Sequence, residues 1–265
     1  YSSSTCAGTV YNTVSPLTAS QTTNSCGTMS GTIPIGATAP ASPNGFTSIT
    51  AALAYINSNG LASATTLELQ TDYNPVGETY PITFPFNACV SASRPLTIRP
   101  NAAVVSPFVL TSASTAATIV FDGGSYVTID GRPGGIGSNK YIRITNTSST
   151  AAAAGNAIQL KNEANNLLLT YLDLQAANLN PATNSSVVPA VGAVPGVVAI
   201  LSTTGISGND NNTISFCDIH SVGNTGNILN VGIFAVNATT LGSPSNNNNN
   251  SILNNNIYDC FNAST

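Results

Sequence analysis

A repeated unit of roughly 35 to 40 residues constrains the fold of this chain more than any other feature of its sequence. Each copy opens with a short apolar run, and a second run follows it. In the last three copies the second run begins at two asparagines, and a third run comes a few residues later. Three short strands per unit, joined by two corners and one variable loop, predict a coil with three faces. The runs lie at 118–121, 157–160, 197–200 and 232–235, then at 126–129, 165–169, 211–214 and 249–252, and finally at 172–174, 217–219 and 255–257.

Alternation of apolar and polar side chains indicates that these runs are β-strands. Residues 126–130 and 140–145 alternate with a period of two, which is the period of a strand with one buried face. One coil cannot bury such a face alone, but stacking on the next coil buries it and pairs the backbone. The sequence therefore predicts an all-β protein, a right-handed parallel β-helix that forms a three-faced solenoid. An antiparallel sandwich is the alternative, although it does not need two asparagines at matching places in each unit.

Asparagine suits the corners of such a coil for two reasons. Its side chain can bond the local backbone, and it tolerates left-handed backbone conformations. Equivalent asparagines one coil apart can also join their amides in a ladder. We therefore interpret the repeated Asn-Asn steps as corner positions.

The part of the chain before the repeat divides into two segments. Residues 1–45 are rich in Thr, Ser, Gly and Pro and are interpreted as an irregular β-rich segment. Apolar residues follow helical spacing over 46–59, which predicts one helix that caps the open end of the solenoid. The predicted organisation is the segment 1–45, then the capping helix and first coils over 46–114, then the repeating coils over 115–265.

At the other end of the solenoid, after the last repeat, the sequence predicts no capping helix. Residues 249–260 form a complete copy of the second and third runs, and no helical pattern follows them in the sequence. A solenoid end that exposes its strand edge and core invites association. We therefore expect either further coils of the same polypeptide or another subunit stacked on this end.

The chain has five cysteines, an odd number. Cys6 and Cys26 lie in the same Thr/Ser/Gly-rich segment and are the predicted disulfide, which would close a loop of about 20 residues. Cys89, Cys217 and Cys260 are widely separated and are interpreted as small buried side chains. The sequence has no C-x-x-C motif, which argues against a zinc or redox site.

Composition excludes several kinds of partner. Only 6% of the residues are charged, the net charge is −4, and the six basic residues form no cluster along the sequence. A nucleic-acid surface or a polybasic membrane anchor needs such a cluster. The longest apolar stretch, 187–201, contains two prolines and two glycines and cannot be a membrane-spanning helix. Neutral polar residues in place of charged ones favour an extracellular location.

Ten acidic residues supply the candidates for catalysis or metal binding. Asp122 and Asp130, with Arg132, form the best candidate acid–base cluster, and the alternative is that both acids cap tight turns. Asp173 and Asp218 occupy the same place in successive units and are predicted to stack on one face. Two adjacent carboxylates would repel or bind a cation, so they are the candidate ligands for Ca²⁺.

No other cofactor is predicted from the sequence. His220 is the only histidine and is interpreted as a structural residue. No serine or cysteine accompanies it in a pattern that indicates a catalytic triad. The Gly123-Gly124 and Gly134-Gly135 pairs lack the strand-to-helix context of a phosphate-binding loop.

Several segments together resemble the β-helix regions of large secreted surface proteins of Bacteroidetes bacteria, within the broad pectate-lyase-like superfamily. The resemblance covers roughly residues 27–262, and its motifs are architectural rather than catalytic. It implies a cell-surface adhesin, a filament component or a gliding adhesin. The matching segments are 46–53, 67–69, 95–100 and 126–131, with the Asn-Asn-Thr-Ile and Asn-Asn-Ser-Ile repeats.

The resulting functional prediction is an extracellular structural or adhesive module, a segment of a long bacterial cell-surface or filament protein. Its expected partners are further coils of the same polypeptide or a second copy, with surface carbohydrate as another partner. Neither nucleic acid nor membrane insertion is expected. The alternative prediction is a β-helix enzyme acting on polysaccharides, either a lyase or a glycoside hydrolase, which would need several acids in one groove.

Overall fold

The computed structural model describes residues 26–149, 155–178, 194–201, 207–223, 231–236 and 246–260. Within these residues it contains seventeen strands, one α-helix and two short 3-10 helices, Pro75–Gly77 and Pro133–Gly135. The helix α1 spans Ile49–Asn59. The strands are β1 (Met29–Ile35), β2 (Leu61–Leu69), β3 (Ile82–Pro85), β4 (Leu96–Pro100), β5 (Phe108–Ser112), β6 (Ile119–Asp122), β7 (Val127–Asp130), β8 (Ile142–Asn146), β9 (Ile158–Lys161), β10 (Leu168–Thr170), β11 (Leu172–Ala176), β12 (Val198–Ile200), β13 (Thr213–Ser215), β14 (Asp218–Ser221), β15 (Ile233–Ala235), β16 (Ser251–Leu253) and β17 (Asn256–Ile257).

The strands form three sheets, and every ladder between them is parallel. The first sheet has the order β1-β2-β4-β7-β10-β13-β16, the second β5-β8-β11-β14-β17, and the third β3-β6-β9-β12-β15. From β4 onward the chain visits the first, second and third sheets in turn, and we call one such passage a circuit. The predicted parallel β-helix is confirmed, and the antiparallel sandwich is wrong.

Columns of apolar side chains, one from each circuit, build the core. In the first sheet the paired positions are Leu67, Ile98, Ile129, Leu169 and Ile214. Each of the five is at most 2% exposed. Alternation puts these side chains on one face of the sheet because successive residues of a strand point to opposite faces.

The helix begins later than predicted, at Ile49 rather than near Phe46, because Ser48 is its N-cap and accepts a hydrogen bond from the Ala51 N–H. It ends at Gly60, whose positive φ of 73° suits glycine. The helix buries Ile49 and Ile56 and packs against β2 and β3 in the first part of the solenoid. This placement suits the capping role that the sequence predicted.

The predicted Cys6–Cys26 disulfide is wrong, because Cys26 is bonded to Cys89. Cys6 lies outside the described residues, as does the rest of 1–25. The cause is tertiary: the Gly27 N–H donates to the Asn59 carbonyl at the end of the helix, and Cys89 lies against Gly60 at the same place. The bond spans 63 residues. A loop of that length stabilises the fold by about 4 kcal/mol in the chain-entropy model.

The remaining cysteines agree in part with their interpretation. Cys217 is buried and free, and burial raises the pKa of its thiol to about 12. Cys260 is free and partly buried. The domain boundaries at 45 and 114 stay predictions, and strand pairing runs across both of them, from β1 to β2 and from β4 to β7.

A close backbone approach between circuits makes Gly131 sensitive to substitution. An added Cβ would lie 1.9 Å from the Tyr171 carbonyl oxygen, a backbone atom that the next circuit holds in place. Gly131→Ala should therefore lower the free energy of unfolding by about 3 kcal/mol, measured by urea denaturation. At Gly77 nothing lies within 4 Å of the added Cβ. Gly77→Ala is the matched control and should change the free energy by less than about 0.5 kcal/mol. If the two substitutions lowered the free energy of unfolding equally, the close approach of Gly131 to Tyr171 would be contradicted.

Candidate functional site

Charged and polar side chains collect on the outer face of the second sheet. Leu172 and Leu174 point inward and are fully buried, so Asp173 and Gln175 between and beyond them point outward. The next circuit repeats this pattern. Asp218 pairs with Asp173, and His220 pairs with Gln175. We call the group of Lys140, Arg143, Asp173, Gln175, Asp218 and His220 the outer-face cluster.

Asp173 is the centre of this cluster and is 9% exposed. Its Oδ2 lies 2.7 Å from Arg143 Nε, and its Oδ1 lies 3.0 Å from His220 Nε2. Gln175 Nε2 donates to the same Oδ1 at 3.2 Å. Burial raises the pKa of Asp173, but the bonds from His220 and Arg143 outweigh burial and hold that pKa below its ordinary value. The carboxylate therefore stays ionised and fully engaged.

The predicted adjacency of Asp173 and Asp218 is confirmed by their register. The structure also shows what neutralises them. Arg143 bonds the first, and Lys140 Nζ lies 2.5 Å from Oδ1 of the second. The residues that the structure describes contain no group of three or more His, Cys, Asp or Glu side chains that could hold a metal ion. A Ca²⁺ site at this pair stays a prediction.

The other predicted cluster is only partly assembled. Asp130 and Arg132 form a bidentate ion pair, with Nη2 to Oδ2 at 2.8 Å and Nε to Oδ1 at 2.9 Å. The Arg132 N–H also donates to Oδ1 at 3.0 Å, which is the turn-capping role that the sequence offered as the alternative. Asp122 instead bonds Lys161 Nζ at 3.1 Å and Asn162 in the next circuit. Its contacts therefore lead away from Asp130 and Arg132.

Nearly every acid in the chain has such an internal partner. Nine of the ten acids accept a hydrogen bond or form an ion pair within the described residues. Carboxylates that act in glycoside hydrolysis stand on either side of the bond to be cleaved and face the substrate. These nine face other parts of the same chain. They are Glu68, Asp72, Glu78, Asp122, Asp130, Glu163, Asp173, Asp210 and Asp218.

Sequence reasoning missed Lys140, Arg143 and Gln175. The signal was present, since Arg143, Asp173 and Asp218 take matching outward positions in three successive strands of the second sheet. The sequence pattern identifies the third run only from 172–174 onward, whereas 142–144 in β8 is the copy of that run one unit earlier. Recognising 142–144 as this copy places Arg143 beside Asp173.

His220 is held between oxygen atoms on both sides of its ring. Nδ1 lies 2.7 Å from the Ser221 carbonyl oxygen, and Nε2 lies 3.0 Å from Asp173 Oδ1. The ring stacks on Tyr258 of the next circuit with centroids 4.4 Å apart. Burial lowers the pKa of His220, but the bonds to Asp173 and Ser221 outweigh it, so the pKa lies above its ordinary value. The imidazolium can donate at both nitrogens, and the neutral ring can donate at only one.

A raised folded-state pKa gives this ion pair a defined pH dependence. Its stabilisation is fully present below the pKa of the unfolded histidine and is lost as the pH rises through the higher folded value. His220→Gln should therefore cost about 0.5–1 kcal/mol more at pH 5.5 than at pH 8.5. Urea denaturation at both pH values measures this. Because the chain has one histidine, its NMR titration reports the pKa without further assignment. An identical cost at the two pH values would contradict the ion pair.

The fold and this face define a parallel β-helix whose charged groups bind one another. Comparisons with protein-family models, curated proteins and solved structures find no match to this chain. Within the described part of the chain, no helix is both long and apolar enough to cross a membrane.

Proposed function

We propose that this chain is an extracellular structural and adhesive module, a segment of a long bacterial cell-surface or filament protein. One observation carries the proposal: the charged side chains join the chain to itself. Arg99 bonds Glu68, Lys161 bonds Asp122 and Arg143 bonds Asp173, and each pair links neighbouring strands of one sheet. Such bonds hold circuits together and leave few charges to act on a substrate.

The disulfide supports the extracellular location. Disulfides persist mainly in oxidising compartments such as the cell exterior and the periplasm. Cys26–Cys89 fastens the start of the described chain to the loop after β3, which lies against Gly60 at the end of the helix. The bacterial surface itself rests on the resemblance given above.

The last described circuit supports association with further β-structure. Ile252 and Ile257 continue the inward columns of Ile214 and Ile219. The exposed fractions rise from 1% and 0% in the earlier pair to 48% and 46% in the later pair. Apolar columns of this kind are covered wherever another circuit follows. We therefore propose that further coils or a second copy cover this end.

Immunogold electron microscopy tests the extracellular location and the filament together. Antibodies raised against the purified chain should label intact cells of the organism that makes it, at the surface or along filaments. Antibody preabsorbed with the chain is the control, and a cytoplasmic marker checks that the cells are intact. Labelling that requires permeabilised cells would overturn the proposal.

A further inference from the structure

Three asparagine side chains each bond the preceding circuit with both ends of the amide. Asn212 accepts a hydrogen bond from the Leu167 N–H and donates one to the Ala164 carbonyl, both at 3.0 Å. One circuit later, Asn250 accepts from the Asn212 N–H at 2.9 Å and donates to the Asn209 carbonyl at 2.8 Å. In each case one amide bridges a carbonyl and the N–H three residues later in the preceding circuit. We call this arrangement the asparagine clamp.

The clamp also occurs at a second corner. Asn255 accepts from the Cys217 N–H at 2.9 Å and donates to the Ile214 carbonyl at 2.8 Å. Again the two backbone groups are three residues apart. In the last two described circuits the clamp therefore points back to the circuit before it, at one corner twice and at the other once.

We infer that the edge formed by β16 and β17 is a docking surface for one further parallel β-coil that carries asparagine clamps. This inference rests on the proposed structural function. If the clamp of Asn255 is repeated one circuit later, its two backbone partners are the Ile252 carbonyl and the Asn255 N–H. If the clamp of Asn250 is repeated in the same way, the Asn250 N–H is a further donor. Among the described residues, β16 and β17 are the last strands in their sheets. Ile252 and Ile257, half-exposed beside these groups, require apolar side chains from the added coil.

The opposite end of a second copy does not fit this surface. The helix α1 covers the core there and buries Ile49, Leu53 and Ile56. Two copies that met through their β16 edges would also lack clamps, because Asn250 and Asn255 already bond their own preceding circuits. A coil with asparagine at the two clamp positions satisfies the backbone groups, and apolar residues in its two inward columns cover Ile252 and Ile257.

The test extends the full chain by one circuit. The clamp at Asn250 reaches back 38 residues, so a second copy of residues 223–260 inserted after Cys260 keeps the repeat in phase. Hydrogen exchange of the original Asn250 and Asn255 N–H groups, followed by NMR, is the measurement. We expect exchange at both to slow at least tenfold. Asn255→Ala in the inserted copy should restore fast exchange at the original Asn255, and Asn256→Ala in the copy is the matched control.

Two results would overturn the inference. Unchanged exchange at the original Asn250 and Asn255, whether the inserted copy folds or not, would show that the edge does not accept such a coil. Protection in the unextended chain that grows with protein concentration would assign the edge to a second copy instead. Neither result depends on where the protein is located, so a failure of surface labelling and a failure of docking are distinguishable.

Discussion

Replacing Glu78 with alanine should lower the free energy of unfolding by about 4 kcal/mol, because several buried donors lose their acceptor together. The carboxylate accepts from the Ile49 N–H at 2.6 Å and the Thr50 N–H at 2.9 Å, and also from the Thr50 hydroxyl. Tyr73 Oη donates to it at 2.7 Å. Burial and the adjacent Glu78 carboxylate raise the pKa of Tyr73. The Tyr73 hydroxyl therefore stays protonated and remains a donor. The carboxylate also stands at the positive end of the helix dipole.

Glu78→Gln is the matched control for this prediction. It keeps the size of the side chain and one acceptor oxygen, and it removes the charge. We expect it to cost about half as much as Glu78→Ala, since amide–backbone bonds are weaker than charge-assisted ones. Urea denaturation followed by circular dichroism measures both variants. A cost below about 1 kcal/mol for Glu78→Ala would show that the helix is held by other contacts.

Replacing Phe121 with alanine should have an effect of similar size. Phe121 is fully buried and stacks on Phe84, with ring centroids 4.7 Å apart and planes 20° from parallel. Removing its ring opens a cavity between circuits, which should cost about 4 kcal/mol. The measurement is again the free energy of unfolding in urea.

Two controls separate cavity formation from the loss of any aromatic side chain. Phe121→Leu fills most of the space and should cost less than about 1.5 kcal/mol. Phe86 is 71% exposed, so Phe86→Ala should change the free energy by less than about 0.5 kcal/mol. If Phe121→Ala costs no more than Phe86→Ala, the core does not include the Phe84–Phe121 stack.

The fold could be predicted because the repeat and the alternation are local properties of the sequence. The predicted run 118–121 matches β6, and 126–129 matches β7, each to within one residue. Both signals arise because stacked coils bury the same face at every turn. The helix begins three residues later than predicted, because the N-cap serine and not the first apolar residue decides where it begins.

Contacts across the fold could not be predicted in the same way. Cys26 and Cys89 are 63 residues apart, and only the packing of the helix end brings them together. Asp122 and Asp130 are close in sequence, but a corner separates their strands into different sheets. Asp173 and Asp218 were predicted correctly as neighbours because the repeat itself sets their register.

The most direct test of this account is the effect of Asp173→Asn on stability and on polysaccharide cleavage in the same preparation. If the carboxylates hold circuits together, the free energy of unfolding should fall by about 1.5 kcal/mol. Neither the wild-type chain nor the variant should cleave any of a panel of acidic and neutral polysaccharides, followed by reducing ends and by unsaturated products. Cleavage by the wild-type chain that Asp173→Asn abolishes without loss of stability would contradict the account and identify an enzyme.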